Sequence, residues 1–115
     1  MATRTTTYET AVSDWRRVAA TSDRAWLTYR KARERLELRR GTYAAQEGVI
    51  TASAAVGRAQ DNLADKATIL RRACRTLAAQ ELASDARACV PYKAPTPGEV
   101  TVRAETLFAA AIGGA

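Results

Sequence analysis

The sequence predicts an all-α protein that consists of a long antiparallel helical hairpin and a short C-terminal helix. Alanine occurs 26 times and arginine 15 times among the 115 residues, and both residue types favour helix. Apolar and small residues recur at alternating steps of three and four, which is typical of a helix that packs along one partner. No proline occurs before Pro91, so nothing earlier in the chain excludes a helix interior on that ground.

The first predicted helix covers about residues 7–40. Thr6 and Glu9 fit a capping box in which Thr6 is the N-cap. Heptad-like spacing follows, interrupted only at Arg33, and we expect these positions to form the contact with the second helix. They are Tyr8, Val12, Trp15, Ala19, Ser22, Trp26, Tyr29 and Leu36. Gly41 follows two arginines and is suited to a left-handed helix cap.

The second predicted helix covers about residues 43–88. Its seam positions are Val49, Ala52, Val56, Ala59, Leu63, Ala67, Leu70, Cys74 and Leu77. Gly48 and Gly57 lie inside this pattern and each weakens a helix by about 1 kcal/mol relative to alanine. A break near Gly48 is the alternative interpretation.

Folding the two helices about Gly41 predicts which residues face each other. Facing residue numbers then sum to about 82, so that Trp26 meets Val56 beside Gly57 and Trp15 meets Ala67. Large side chains face small ones along most of this seam, as interdigitated packing requires. The pattern therefore favours an antiparallel hairpin.

Residues 89–96 form a predicted linker, and a third helix covers about residues 97–112. Thr96 and Glu99 form a second capping box, with Pro97 at the favoured first helical position. One face of this helix carries Val100, Ala104, Leu107, Phe108, Ala111 and Ile112. The alternative is a strand over 99–103. We expect the third helix to pack near residues 74–82, which makes 1–115 a single elongated helical domain.

Composition excludes several classes of protein. The chain contains no histidine, which argues against Ser-His and Cys-His catalysis and against the common zinc sites. We therefore expect no enzymatic activity, no cofactor and no metal. There is no apolar run long enough to span a membrane and no apolar segment typical of a secretory signal. A cytoplasmic protein, or one inside a virion, with Cys74 and Cys89 as free thiols, is expected.

Basic residues suggest one candidate site. The net charge is +6, and Arg17, Arg24 and Lys31 recur every seven residues, opposite the predicted seam. A ridge of this kind can neutralise phosphates or contact an acidic partner, although a solvated helix face has the same pattern. The full candidate set is Arg17, Arg24, Lys31, Arg35, Arg39 and Arg40, and Arg71, Arg72 and Arg75 form a further basic group.

Apolar residues outside the seam suggest the second candidate site. They are Val18, Leu27, Leu38, Ile50 and Ile69. Because soluble monomers rarely leave wide apolar patches bare, we expect a homo-oligomer or a larger protein assembly. The favoured function is a non-catalytic assembly subunit of a multi-protein particle, such as a small phage virion component. The alternatives are a basic nucleic-acid-binding or packaging protein and a small helical inhibitor of a host protein.

Overall fold

A computed structural model describes residues 3–39 and 41–113. In these residues it contains three helices, α1 (Thr3–Leu38), α2 (Tyr43–Arg87) and α3 (Pro97–Gly113), and no strand. The all-α fold with a long helix pair and a short third helix is confirmed, and residues 99–103 are helical rather than extended. None of these helices combines the length and apolar character that a membrane span needs.

The first helix starts earlier than the sequence predicts. Because α1 begins at Thr3, Thr6 lies inside the helix, and its prediction as the N-cap is wrong. At the other end, the N–H of Gly41 donates to the carbonyl of Leu36 at 3.2 Å. Gly41 has a φ of +77°, which confirms its expected left-handed conformation.

The second helix is capped by Thr42 and runs without a break. The hydroxyl oxygen of Thr42 accepts a hydrogen bond from the N–H of Ala45 at 3.4 Å, and the Gln46 side chain donates to the carbonyl of Gly41 at 3.0 Å. The helix continues through Gly48 and Gly57, so the alternative of a break near Gly48 is wrong. Local capping at both sides of Gly41 therefore defines the turn of the hairpin.

The third helix begins with the predicted capping box. The N–H of Glu99 donates to the Thr96 hydroxyl at 3.2 Å, and the N–H of Thr96 donates back to the Glu99 carboxylate at 3.3 Å. Pro97 is the first helical residue. An N–H at this position has no partner within the helix, so proline, which has no N–H, costs no hydrogen bond there. The start of α3 follows directly from four consecutive residues of sequence.

The chain divides into two compact units. Unit 1 contains the residues up to 15 and those from 66 onwards, and unit 2 contains residues 16–65. The grouping of residues near 15 with residues near 66 agrees with the predicted antiparallel pairing, in which facing numbers sum to about 82.

Unit 1 has a core to which all three helices contribute. Leu70 and Cys74 are its two fully buried large side chains. Small buried residues complete the cluster, namely Ala11, Ala73, Ala78, Ala104 and Ala111. Larger side chains are partly buried against it, namely Tyr8, Val12, Trp15, Val100, Leu107 and Phe108. The third helix thus adds the aromatic and aliphatic area that an alanine-rich helix pair lacks.

Unit 2 is a two-helix seam of small side chains. Its buried residues are Val18, Ser22, Ala32, Ala52, Val56 and Ala59. The seam of α2 agrees with the sequence pattern, but the seam of α1 differs. The stripe that faces the seam contains Ala11, Val18 and Ala25 in place of the expected Val12, Ala19 and Trp26, and it continues at Ala32 beside the interruption at Arg33.

The misplaced stripe has a physical reason. The expected stripe and the buried stripe lie side by side on α1. Both contain the partly buried residues Trp15 and Tyr29. In unit 1, Val12 packs against the cluster that includes α3. Unit 2 contains no part of α3, and the equivalent residue Trp26 is 41% exposed. Trp26 is therefore not a buried seam residue. A Cβ at Gly57 would contact nothing within 4 Å, so the expectation that Trp26 fills the space beside Gly57 is wrong.

The glycines of the second helix give a first prediction. Gly57→Ala should raise the free energy of unfolding by about 1 kcal/mol, because alanine restricts the unfolded chain and the site has room for a Cβ. Gly41→Ala should lower it by about 1 kcal/mol, because the positive φ disfavours any residue with a Cβ. Urea unfolding followed by circular dichroism measures both, and equal effects of the two changes would contradict the assigned turn.

The register of the α1 seam gives a second prediction. Ala32→Leu should destabilise the protein by about 1–3 kcal/mol, because Ala32 is buried and three further carbons at a packed position force its neighbours to move. Ala20→Leu is the matched control, since Ala20 is exposed on the same helix and both changes carry the same helix propensity. If the two variants unfold at the same urea concentration, Ala32 does not lie in the seam.

Candidate functional site

The predicted basic ridge lies on the surface of unit 2. Its described members are all exposed, namely Arg17, Arg24, Lys31, Arg35 and Arg39. Arg40 lies outside the described residues. The guanidinium of Arg24 donates to the hydroxyl of Thr21 at 3.2 Å, and that hydroxyl donates to the carbonyl of Arg17 at 3.1 Å. These hydrogen bonds support the Arg24 side chain along the helix surface.

Spacing places the basic ridge and the exposed tryptophan on opposite flanks of α1. With Val18, Ser22 and Ala32 in the seam, the 3.6-residue period puts Lys31 on one side of the helix. Trp26 lies on the other side by the same period. A substitution on one flank therefore leaves the other flank unchanged, which makes the two surfaces separable by mutation.

The predicted apolar interface is exposed at four of its five positions. These are Leu27, Leu38, Ile50 and Ile69, of which Leu38 is the most exposed at 83%. The fifth residue, Val18, is 3% exposed and belongs to the seam, so its assignment to an outer surface is wrong. The reason is that the expected α1 stripe is displaced by one residue from the buried one.

Sequence reasoning missed a cluster of side chains on the Trp26 flank. The rings of Trp26 and Tyr29 meet edge to face, with centroids 5.9 Å apart and planes at 86°. The guanidinium carbon of Arg33 lies 6.0 Å from the centroid of the Tyr29 ring. We call Trp26, Tyr29 and Arg33 the aromatic patch. The interruption of the heptad at Arg33 was the signal, since a cation indicates that this side of the stripe, which includes Trp26 seven residues earlier, faces solvent.

Other large apolar side chains are also exposed. In unit 2 the further example is Tyr43, and in unit 1 they are Val90, Tyr92, Val102 and Ile112. Scattered apolar residues are normal on protein surfaces, so only those that lie close together count as evidence of a site.

The ion pairs of α3 and the two cysteine thiols make contacts of a structural kind. Arg103 of α3 pairs with Glu81 at 2.9 Å and with Asp85 at 3.8 Å, so these two ion pairs join α3 to α2.

Neither cysteine forms a disulfide. Burial raises the pKa of the Cys74 thiol, and the nearby Arg71 opposes that rise. Cys89 is exposed, and its thiol donates to the carbonyl of Asp85 at 3.4 Å. No group of three or more potential metal ligands occurs in the part of the chain that the structure describes.

Comparison with known proteins adds no relative. No family model matches the sequence, and no curated protein or solved structure gives a match.

Proposed function

We propose that the protein is a non-catalytic assembly subunit that binds a second copy of itself through the aromatic patch on α1. The observation that carries this proposal is the partial exposure of Trp26 in contact with Tyr29 and Arg33. Tryptophan, tyrosine and arginine are the residue types enriched at the energetic centres of protein interfaces. The absence of histidine from the sequence supports a non-catalytic role.

Contacts within the patch prepare it for binding. The edge-to-face contact restricts the indole of Trp26, and the ring of Tyr29 restricts the guanidinium of Arg33. Side chains that are already ordered lose less conformational entropy when a partner binds. A large aromatic ring held half out of water is therefore suited to act as an interface anchor.

The weak interior of unit 2 favours association with further helices. Val18 and Val56 are the largest of its buried side chains, whereas Trp26, Leu27, Leu38, Tyr43 and Ile50 are exposed. Five large apolar side chains of this hairpin thus remain in contact with water. Two helices that bury little area gain stability by packing against another pair, as in a four-helix bundle.

Charge favours a second copy as the partner. Arg33 and Arg35 alternate on α1 with Glu34 and Glu37, so this segment carries both signs. In a two-fold symmetric dimer both copies use the same surface patch, so the same residues face one another across the axis. An antiparallel arrangement of two such segments can therefore pair arginine with glutamate across the axis. A cytoplasmic complex or a virus particle, such as a phage virion, is a setting in which such a subunit would act.

Self-association gives a third prediction. Wild-type protein should sediment at twice the monomer mass of 12.4 kDa, and Trp26→Glu should raise the dimer dissociation constant about thirtyfold or more. Thr28→Glu is the matched control, because it adds the same charge two residues away on the opposite flank. Sedimentation equilibrium over a range of concentrations measures the constants, and circular dichroism checks that both variants remain helical.

Two results would overturn the proposal. One is a wild-type protein that remains monomeric at millimolar concentration. The other is equal weakening by Thr28→Glu, since that would assign the effect to charge rather than to the aromatic patch.

The exposed basic ridge favours a second candidate function, binding to nucleic acid in a packaging role. Arg17, Arg24 and Lys31 lie on one side of α1 at intervals of about two turns. Phosphate contacts would dominate, since the sequence contains no recognised base-reading motif.

Salt dependence gives a fourth prediction for this candidate. The double change Arg24→Gln and Lys31→Gln should weaken binding to duplex DNA of any sequence. It should also flatten the log–log salt dependence by about 0.9 for each phosphate that the variant no longer neutralises. The double change Arg58→Gln and Arg87→Gln removes the same charge from exposed sites on α2 and should have a smaller effect. Fluorescence anisotropy with labelled duplex provides the measurement. No binding by wild-type protein at tens of micromolar, in about 150 mM salt, would exclude nucleic acid as the main ligand.

A further inference from the structure

A cleft in unit 1 collects positive charge between two helices. It has a volume of about 290 Å³. Arg71, Arg72 and Arg75 line it from α2, and Thr101, Glu105 and Phe108 line it from α3. The volume lies just below the range of about 300–1,000 Å³ that is usual for small-molecule pockets. We call this feature the arginine cleft.

Helical spacing explains why the arginines converge. Residues three and four apart are neighbours on a helix surface, so Arg75 lies next to both Arg71 and Arg72. Like charges at this spacing repel one another. Within the described ranges none of the three arginines forms a salt bridge with an acidic residue, although Glu105 lines the same cleft. Three guanidinium groups and one carboxylate line the cleft, so a net positive charge remains there.

Phe108 holds one of the guanidinium groups in place. The Arg71 guanidinium carbon lies 4.0 Å from the centroid of the Phe108 ring, in a close cation–π contact. This contact orders the guanidinium before any ligand arrives, so less entropy is lost when it binds. Because a cation–π contact is not a hydrogen bond to oxygen, it leaves the guanidinium its capacity to donate N–H groups to an anion.

We propose that the arginine cleft binds a phosphate group. Guanidinium groups match the oxygens of phosphate with paired hydrogen bonds, and several of them together suit a group with more than one negative charge. An anion here would also relieve the repulsion among the three arginines. This inference concerns unit 1 and is independent of the aromatic patch in unit 2.

Glu105 makes the proposal sharply testable. Its carboxylate lies in the lining of the cleft and opposes the approach of any anion. Replacement by glutamine keeps the size of the side chain and removes that repulsion. Damage to the fold would weaken binding, whereas loss of this charge strengthens it, so the two effects have opposite signs.

Titration calorimetry with tripolyphosphate in about 50 mM salt tests the site and gives our fifth prediction. Wild-type protein should bind at one site per chain. Arg75→Gln should weaken binding at least about tenfold, because it removes hydrogen bonds to a charged group. Glu105→Gln should strengthen binding. Arg58→Gln, which removes an exposed arginine of the same helix in unit 2, should leave affinity within about twofold of wild type.

Three outcomes would overturn the proposal. They are no binding of tripolyphosphate by wild-type protein at millimolar ligand, equal weakening by Arg58→Gln and Arg75→Gln, and weaker binding by Glu105→Gln. The second of these would show that net charge alone attracts the anion.

A parallel titration with duplex DNA distinguishes two sources of the phosphate. If Arg75→Gln weakens binding of both ligands, the arginine cleft takes backbone phosphates of nucleic acid. If it weakens only tripolyphosphate binding, the cleft takes a free phosphate compound. Both results support a phosphate site.

Discussion

Alanine at the positions where α1 meets α2 limits how much apolar area each helical turn can bury. Unit 1 compensates with α3, which brings Leu107 and Phe108 against a core centred on the fully buried Leu70 and Cys74. Unit 2 contains no third helix, and its larger apolar side chains are at most half-buried, whereas its buried ones are no larger than valine. The same small-residue seam therefore leads to a covered helix pair in one unit and to a helix pair with exposed aromatic and aliphatic side chains in the other.

The two proposed sites follow from this difference. In unit 2, which contains no part of α3, the Trp26 flank of α1 remains partly exposed, and we propose that a second hairpin covers it. In unit 1, α3 places Phe108 and Glu105 opposite three arginines of α2 and so converts a charged helix face into a cleft. Protein association and anion binding would then use different residues in different units, so that mutations can separate the two activities.

Local signals predicted the elements well, because they depend on neighbours along the chain. The capping box of Thr96 and Glu99, the left-handed Gly41 and the small seam of α2 all agree with the structure. The start of α1 was misjudged, since a capping pattern at Thr6 also fits within a helix that begins at Thr3. Among the candidate site residues, the exposed positions of the basic ridge were predicted correctly, whereas Val18 was assigned to the wrong side of α1.

The sequence by itself determined the three helices, the turn between the long pair and the surplus of arginine, because propensity, capping and period are properties of short segments. Only the tertiary structure decided which of two adjacent stripes on α1 is buried. Those stripes share Trp15, Ser22, Tyr29 and Leu36 and are offset by one residue elsewhere, so the choice depends on the size of the facing side chains and on the reach of α3. The arginine cleft could not be predicted from the sequence, because its lining residues on α2 and α3 are about thirty positions apart in the chain and meet only once α3 has packed against α2.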